Sequence, residues 1–332
     1  MKGTVLPSVV AAIIALSANV SEASAQSASF PRYDHVFLIV EENHGFSQII
    51  GNAAAPQMNA LAKRYGLATA SFSVADPSAP NYVAMLGGSI FGIADNDAYY
   101  LHTVDKPSLM SQLDAAKLTW KGYLQSMPYA GFRGICYPNR CNGVPDFDTL
   151  YNSKHNGIPY FKSIQDDPKE MAKMGPLTQL DSDLAMNPPN FGYIVPDECS
   201  DMHGAPPYCI DSSDPGDEAD NALVSMADKL VGRLVAKIQS SRFWTRGNNA
   251  IVITFDEGGD GDTSGCCGTE PGNGRIATIV VTSRGPRGLE DPTPYNHYSL
   301  LSSLQHAFGL GCLEATCDTT NITPMLPLFR VR

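Results

Sequence analysis

Two apolar runs, far apart in the chain, each end in paired acids. Val36-Phe37-Leu38-Ile39-Val40 leads into Glu41-Glu42-Asn43-His44, and Ile251-Val252-Ile253-Thr254-Phe255 leads into Asp256-Glu257. Carboxylates held side by side repel, so such a set needs a cation, a proton or a nearby base. If the two runs are neighbouring strands of one sheet, Glu42, Asn43, Asp256 and Glu257 converge, and oxygen-rich ligands of that kind suit a hard divalent cation or zinc. One acidic dipeptide alone reads as a solvated loop, since most acids are surface residues; the repetition points to a site. The twelve residues 256–267, DEGGDGDTSGCC, fail as an EF-hand loop, with Gly258 at the third position and Cys267 at the twelfth.

A nucleophile is the next requirement. In the segment Asp76-Pro77-Ser78-Ala79-Pro80-Asn81 two prolines bracket Ser78 and restrict the backbone on either side of its hydroxyl. The same words describe ordinary loop chemistry; what favours catalysis is the metal site expected elsewhere, because a bound cation can activate a hydroxyl without a histidine base. His155, His203 and His297 lie in polar, loop-like contexts, where they could bind phosphate oxygens or protonate a leaving group. Asp201, two residues before His203, is placed to orient a histidine or to join the metal. The GxSxG, GxxxxGK[ST], HExxH and strand-linked GxGxxG patterns are all missing, which removes the usual esterase, nucleotide-triphosphatase, zinc-protease and dinucleotide readings.

The elements needed to position these residues alternate between strand and helix. Val36–Val40 reads as a strand buried on both faces, Ile251–Phe255 and Ile276–Val281 read as further apolar strands, and Phe191–Val195 is a short apolar run. Helices are expected at Pro56–Arg64, Leu109–Ala116 and Ser299–Phe308, with a strand at Leu118–Leu124. The clearest helix carries Ala219, Leu223, Met226, Leu230, Leu234 and Ile238 on one face, with Asp220, Asp228 and Lys229 expected away from it. Residues 128–217, rich in Pro, Gly, Asp and Asn, read as a loop-rich, disulfide-bearing insertion over the working face. The expected class is α/β, a sandwich with a mostly parallel central sheet and helices on both faces, whose ligands gather at the carboxyl ends of the strands.

Residues 1–25 have the layout of a cleaved secretory signal, with Lys2, an apolar stretch from Val9 to Leu16 and the small residues Ala23-Ser24-Ala25. That stretch is too short to span a bilayer, and no later run is long enough, so residues 26–332 are expected to be one secreted or periplasmic domain without stable membrane insertion. In an oxidising compartment the eight cysteines suggest local disulfides, Cys136–Cys141, Cys199–Cys209, Cys266–Cys267 and Cys312–Cys317. A formal net charge of -11 argues against general nucleic-acid binding, while a bound cation would still admit anionic small substrates.

Taken in order, VEENHGFSQIIG, PSAPNYVAMLGGSIFG, KHNGIPYF, VPDECSDMHG, ITFDEGGD and YNHYSLL resemble the bacterial and fungal phosphoesterase family. That family includes secreted acid phosphatases, some acting on phosphoinositides, and phospholipases C, within the alkaline phosphatase-like superfamily. The resemblance spans about residues 33–311. It implies one divalent metal ion held by Glu42, Asn43, Ser78, Asp256 and Glu257, with Ser78 as nucleophile and His155, His203 and His297, alongside Asp201, binding the phosphoryl group or assisting its transfer. The implied activity is that of a metal-dependent phosphomonoesterase of the acid phosphatase type, acting on a small-molecule or lipid phosphate ester through a phosphoserine. Two other readings are a phosphodiesterase or phospholipase C on the same site, and a non-catalytic, calcium-stabilised exported binding module. The chain departs from the family pattern at Asp76, where histidine is common, and at His44-Gly45, where arginine and serine are common; these positions bear on pH optimum and leaving-group preference.

Overall fold

The computed structural model describes residues 1–3, 30–141, 143, 148–210, 218–259 and 261–331. The expected signal segment and its cleavage after Ala25 lie outside the described residues, apart from the first three.

The strands in chain order are β1 His35–Glu41, β2 Gly66–Phe72, β3 Trp120–Leu124, β4 Cys136–Tyr137, β5 Tyr151–Asn152, β6 Met174–Pro176, β7 Phe191–Val195, β8 Asn249–Phe255, β9 Arg275–Thr282, β10 Leu289–Asp291 and β11 Tyr295–Asn296. Nine of them form one sheet in the order β10-β2-β9-β8-β1-β7-β3-β6, with β11 also on β2, and β4 pairs with β5 as a separate ribbon. All ladders of the large sheet are parallel except those of β9 with β2 and β8.

Side-chain alternation on the central strands divides the core in two. Val36, Leu38 and Val40 of β1 and Ala250 and Val252 of β8 face a core built with the helices Ser78–Gly87, Leu109–Ala115 and His297–Phe308. Phe37 and Ile39, with Ile251, Ile253 and Phe255, face the opposite core, against the helices Pro56–Arg64, Gln179–Met186 and Glu218–Ser240. Helices thus cover both faces, and strands β1 and β8 read as near-continuous apolar runs for that reason. The chain is the expected α/β sandwich with a mostly parallel sheet.

Three expectations need correction. On the long helix Glu218–Ser240, Met226 is exposed, whereas Asp220 and Asp228 are buried. Each aspartate has a fixed partner that outweighs its hydrophilicity. Asp228 accepts the N–H groups of Gln57 at 3.0 Å and Met58 at 2.8 Å in the first turn of Pro56–Arg64, and Asp220 takes His44 Nε2 at 2.9 Å. The stretch 128–217 is more than loops, because it supplies β6, the helix Gln179–Met186 and β7, which lies between β1 and β3. The final helix begins at His297 rather than Ser299, where the Asn296 side chain accepts from the N–H groups of Tyr298 and Ser299, and it ends at Gly309 with φ 67°. All four expected disulfides are formed. No described helix is long and apolar enough to cross a membrane.

Candidate active site

Strands β1 and β8 are adjacent and parallel, with Glu41 opposite Phe255, so both acidic pairs leave the sheet at the same end. The Asn43 N–H donates to Asp256 Oδ1 at 3.1 Å and the Asp256 N–H donates to the Glu41 carbonyl at 3.0 Å, which locks the two strand ends together. Asn43 has φ 47°, a left-handed conformation that asparagine tolerates better than most side chains.

Ser78 opens the helix Ser78–Gly87 from the other side of this acidic group. Its hydroxyl donates to Glu42 Oε2 at 3.2 Å. Asn81, one turn on, binds the carbonyl of Ala75 at 2.7 Å and accepts the N–H groups of Val74 and Ala75, which fixes the approach to the serine. The same Asn81 amide reaches Glu257 Oε2 at 3.5 Å, and Asn273 reaches that oxygen at 3.0 Å. Glu42, Asn43, Ser78, Asp256 and Glu257 are therefore brought together as the sequence suggested.

The histidines line the Glu42 side. His155 Nε2 lies 3.1 Å from Glu42 Oε1, and its Nδ1 lies 3.1 Å from Asp201 Oδ2 and 3.2 Å from Glu198 Oε1. The ring stacks on Tyr82 at 5.5 Å. His203 Nδ1 lies 2.8 Å from Glu198 Oε2, and Asp201 Oδ1 accepts the His203 N–H at 2.9 Å. Asp201 thus holds both histidines, and its carbonyl accepts the Glu42 N–H at 2.9 Å. His297 differs from these two: its Nε2–H donates to the Asp256 backbone carbonyl, so it props a strand end.

Two residues near the site were not singled out from the sequence. Glu198 is buried between His155 and His203; the signal was a third apolar strand, β7, running into Pro196-Asp197-Glu198. Lys154 is also buried, and its Nζ lies 3.0 Å from His203 Nε2. A lysine beside His155 in the Ser-Lys-His-Asn segment gave no periodic signal that separated it from a solvated one.

The electrostatics are those of crowded, buried carboxylates, which a cation would relieve. Burial, then the charges of Asp256 and Asp201, raise the Glu42 carboxyl well above its ordinary value. Burial also raises Asp256, and burial followed by Asp256 and Asp76 raises Glu257. Asn43 Oδ1 and Asp256 Oδ2 are buried with no hydrogen-bond partner, and Glu42 Oε1 has His155 Nε2 beside it at 3.1 Å. Buried polar atoms are rarely left so, and two oxygens orphaned beside the Glu42 carboxylate suit the ligand set of a hard divalent ion. Among the described residues, Glu42, His155 and His203 also bring ligand atoms within 4.8 Å of one another, so a nitrogen ligand is within reach of the same carboxylate.

Burial lowers the His297 pKa from its ordinary 6.5 to about 4. Between those values the unfolded chain binds the extra proton and the native chain does not, so this contribution is complete above pH 6.5 and is lost as pH falls toward 4. The full swing is about 3 kcal/mol for a shift of that size. With chelator present to exclude metal effects, His297→Gln is expected to flatten the fall in stability between pH 6.5 and 4, read as denaturant midpoints; an unchanged pH profile would contradict the buried neutral ring.

Residues 52–311 match the profile of the Phosphoesterase family. A phosphate-repressible acid phosphatase of Penicillium chrysogenum is 27% identical over 302 residues, covering 90% of this chain and 64% of that protein. This chain therefore spans less than two thirds of that fungal relative's length. A phosphatidylinositol-3-phosphatase of Mycobacterium tuberculosis is 25% identical over 304 residues, covering 91% of this chain and 85% of its own. Among solved structures, a protein of the alkaline phosphatase superfamily from Vibrio parahaemolyticus superposes with a TM-score of 0.50 at 12% identity, over 85% of this chain and 69% of that one.

Proposed function

The chain belongs to the phosphoesterase family, and from that premise and the acidic site we propose that it is a phosphomonoesterase of the acid phosphatase type, exported, metal-dependent and acting through a serine nucleophile. The observation that carries this reading is the Ser78 hydroxyl, hydrogen-bonded to Glu42 inside a cluster of buried side-chain oxygens, two of which, Asn43 Oδ1 and Asp256 Oδ2, lack a partner.

Glu42, Asn43, Asp256 and Glu257, with Ser78, would hold one divalent ion. When bound, the ion supplies positive charge against the acids, the serine oxygen and the phosphoryl group. The protein's own residues do the rest. Glu42 aims the Ser78 oxygen, and the helix that Ser78 opens presents its positive end to the incoming anion. Ser78 Oγ gives its proton to Glu42 Oε2, which accepts its hydrogen bond, and forms a bond to phosphorus as the ester P–O bond breaks, the electron pair departing with the leaving oxygen, to which that proton is then passed. Water then attacks phosphorus from the vacated side, the Ser78 oxygen leaves and regains its proton, and inorganic phosphate is released. His155 and His203, held by Asp201 and Glu198, are placed to exchange protons on the Glu42 side, and His297 has a positioning role at Asp256. Fixing the line of attack and compensating charge provide most of the acceleration in phosphoryl transfer.

Export is supported by the four disulfides, which persist in oxidising compartments. The relative that acts on a phosphoinositide supports a lipid phosphate among the candidate substrates. The test is hydrolysis of p-nitrophenyl phosphate by the purified chain, with and without a chelator. Turnover that disappears in chelator and returns with an added divalent ion is expected. Metal-dependent melting with no turnover of any phosphate ester would favour a binding module instead.

A further inference from the structure

We propose that Lys154 is a catalytic residue, binding a charged phosphoryl oxygen and committing the site to doubly charged monoesters over singly charged diesters. This rests on the phosphatase reading above and adds the basis of its ester selectivity.

Among the described residues Lys154 is the one lysine or arginine that is buried, at 4% exposure. Taking an ammonium out of water costs several kcal/mol unless opposite charge surrounds it. Here the surroundings are the active site. The 3-10 turn Ser153–His155 places Lys154 and His155 next to each other. That turn is held by the Asn152 side chain, which accepts the Lys154 N–H at 3.2 Å, and by the Ser153 N–H on the Ile135 carbonyl at 2.8 Å. The backbone that carries Lys154 is thereby fixed by local hydrogen bonds.

Its Nζ lies 3.0 Å from His203 Nε2. An ammonium only donates, so the imidazole accepts, and the His203 proton sits on Nδ1, which donates to the Gly204 carbonyl at 3.1 Å beside Glu198. Lys154 thus sets a buried lysine ammonium at this edge of the site. The charge is felt across the site: it opposes the upward displacement of both the Glu42 and Glu257 carboxyl groups.

A phosphate monoester near neutral pH presents two negative charges spread over three non-bridging oxygens, whereas a diester has one charge over two. The metal set formed by Glu42, Asn43, Asp256 and Glu257 meets the phosphoryl group from one side. A fixed cation beside His203 serves the additional oxygen, which a diester has already given to its second alcohol. Such a group in a water-poor site raises reactivity toward the dianion far more than toward the monoanion.

The experiment compares the wild-type chain with Lys154→Met and Lys154→Arg. Substrates are p-nitrophenyl phosphate and bis-p-nitrophenyl phosphate, with inorganic phosphate as competitive inhibitor and thermal melting as a check on folding. Lys154→Met is expected to lower kcat/KM for the monoester by roughly 10²–10³-fold, to lower it for the diester by less than about 10-fold, and to weaken phosphate inhibition. Lys154→Arg, which keeps the charge, is expected to retain more of the monoester preference and covers the case in which the methionine variant does not fold. Equal losses for both esters, or phosphate inhibition unchanged in Lys154→Met, would overturn the assignment. A wild-type chain inert toward both esters would defeat the phosphatase reading itself, a result distinct from either.

Discussion

Ser78→Ala is expected to lower turnover of a phosphate monoester on the order of 10⁴-fold or more, the scale seen when an attacking hydroxyl is removed from an intact site. The fold should tolerate the change. The Ser78 hydroxyl donates to Glu42, so the stability effect is on the order of 1 kcal/mol. The four other candidate ligands remain, and so metal-dependent melting should persist in the inactive variant. Steady-state kinetics beside melting curves with and without chelator separate the two effects. A Ser78→Ala protein within 10-fold of wild-type activity, against the expected loss of this order, would remove the serine from the mechanism.

Glu42→Gln should produce opposite signs in two assays. Activity is expected to fall roughly 10³-fold, because the substitution removes a metal-ligand charge and the acceptor that aims Ser78. Stability in chelator is expected to rise at neutral pH. The Glu42 carboxyl is raised by burial and by the charges of Asp256 and Asp201, so between the ordinary carboxylate range and its raised value the native chain holds a proton that the unfolded chain has released. Native stability then falls as pH rises through that window, by about 1.4 kcal/mol per pH unit for one fully displaced group. Glutamine removes one such contribution. Chelated Glu42→Gln should therefore melt higher than chelated wild type at pH 7 and vary less with pH. A lower melting temperature for the variant in chelator would contradict the view that the site stores repulsion for a cation to relieve. A gain in stability beside a loss of function is the usual mark of residues selected for activity.

Periodicity carried much of this architecture because the central strands are buried on both faces. Val36–Val40 is wholly apolar and Thr254 is the one polar residue of Ile251–Phe255, so two such runs ending in acids would share an edge once the strands were neighbours. Where pattern reading went astray, a specific partner had overridden hydrophilicity. Asp220 and Asp228 look like the outer face of a helix until His44 and the Gln57 and Met58 amides are in place. The departure at His44 has the same explanation, since its ring bridges the Glu42 carbonyl at 3.0 Å and Asp220. Glu198 follows the same strand-then-acid pattern as Glu42 and Asp256, buried just past Phe191–Val195. Lys154 was beyond such rules, because its burial depends on a turn between the ribbon strand β5 and the helix carrying Ser78, contacts that sequence spacing does not encode.

The central claim is that Ser78 takes the phosphoryl group onto its own oxygen. The most direct test is to mix the metal-loaded chain with excess p-nitrophenyl phosphate, quench in acid within the first turnovers, and map the phosphorylated peptide by mass spectrometry. One phosphoryl group is expected on Ser78, absent from Ser78→Ala and from chelated protein. A phosphoryl group on His155 or His203, or turnover with no covalent adduct when product release of the leaving alcohol shows a burst, would contradict it.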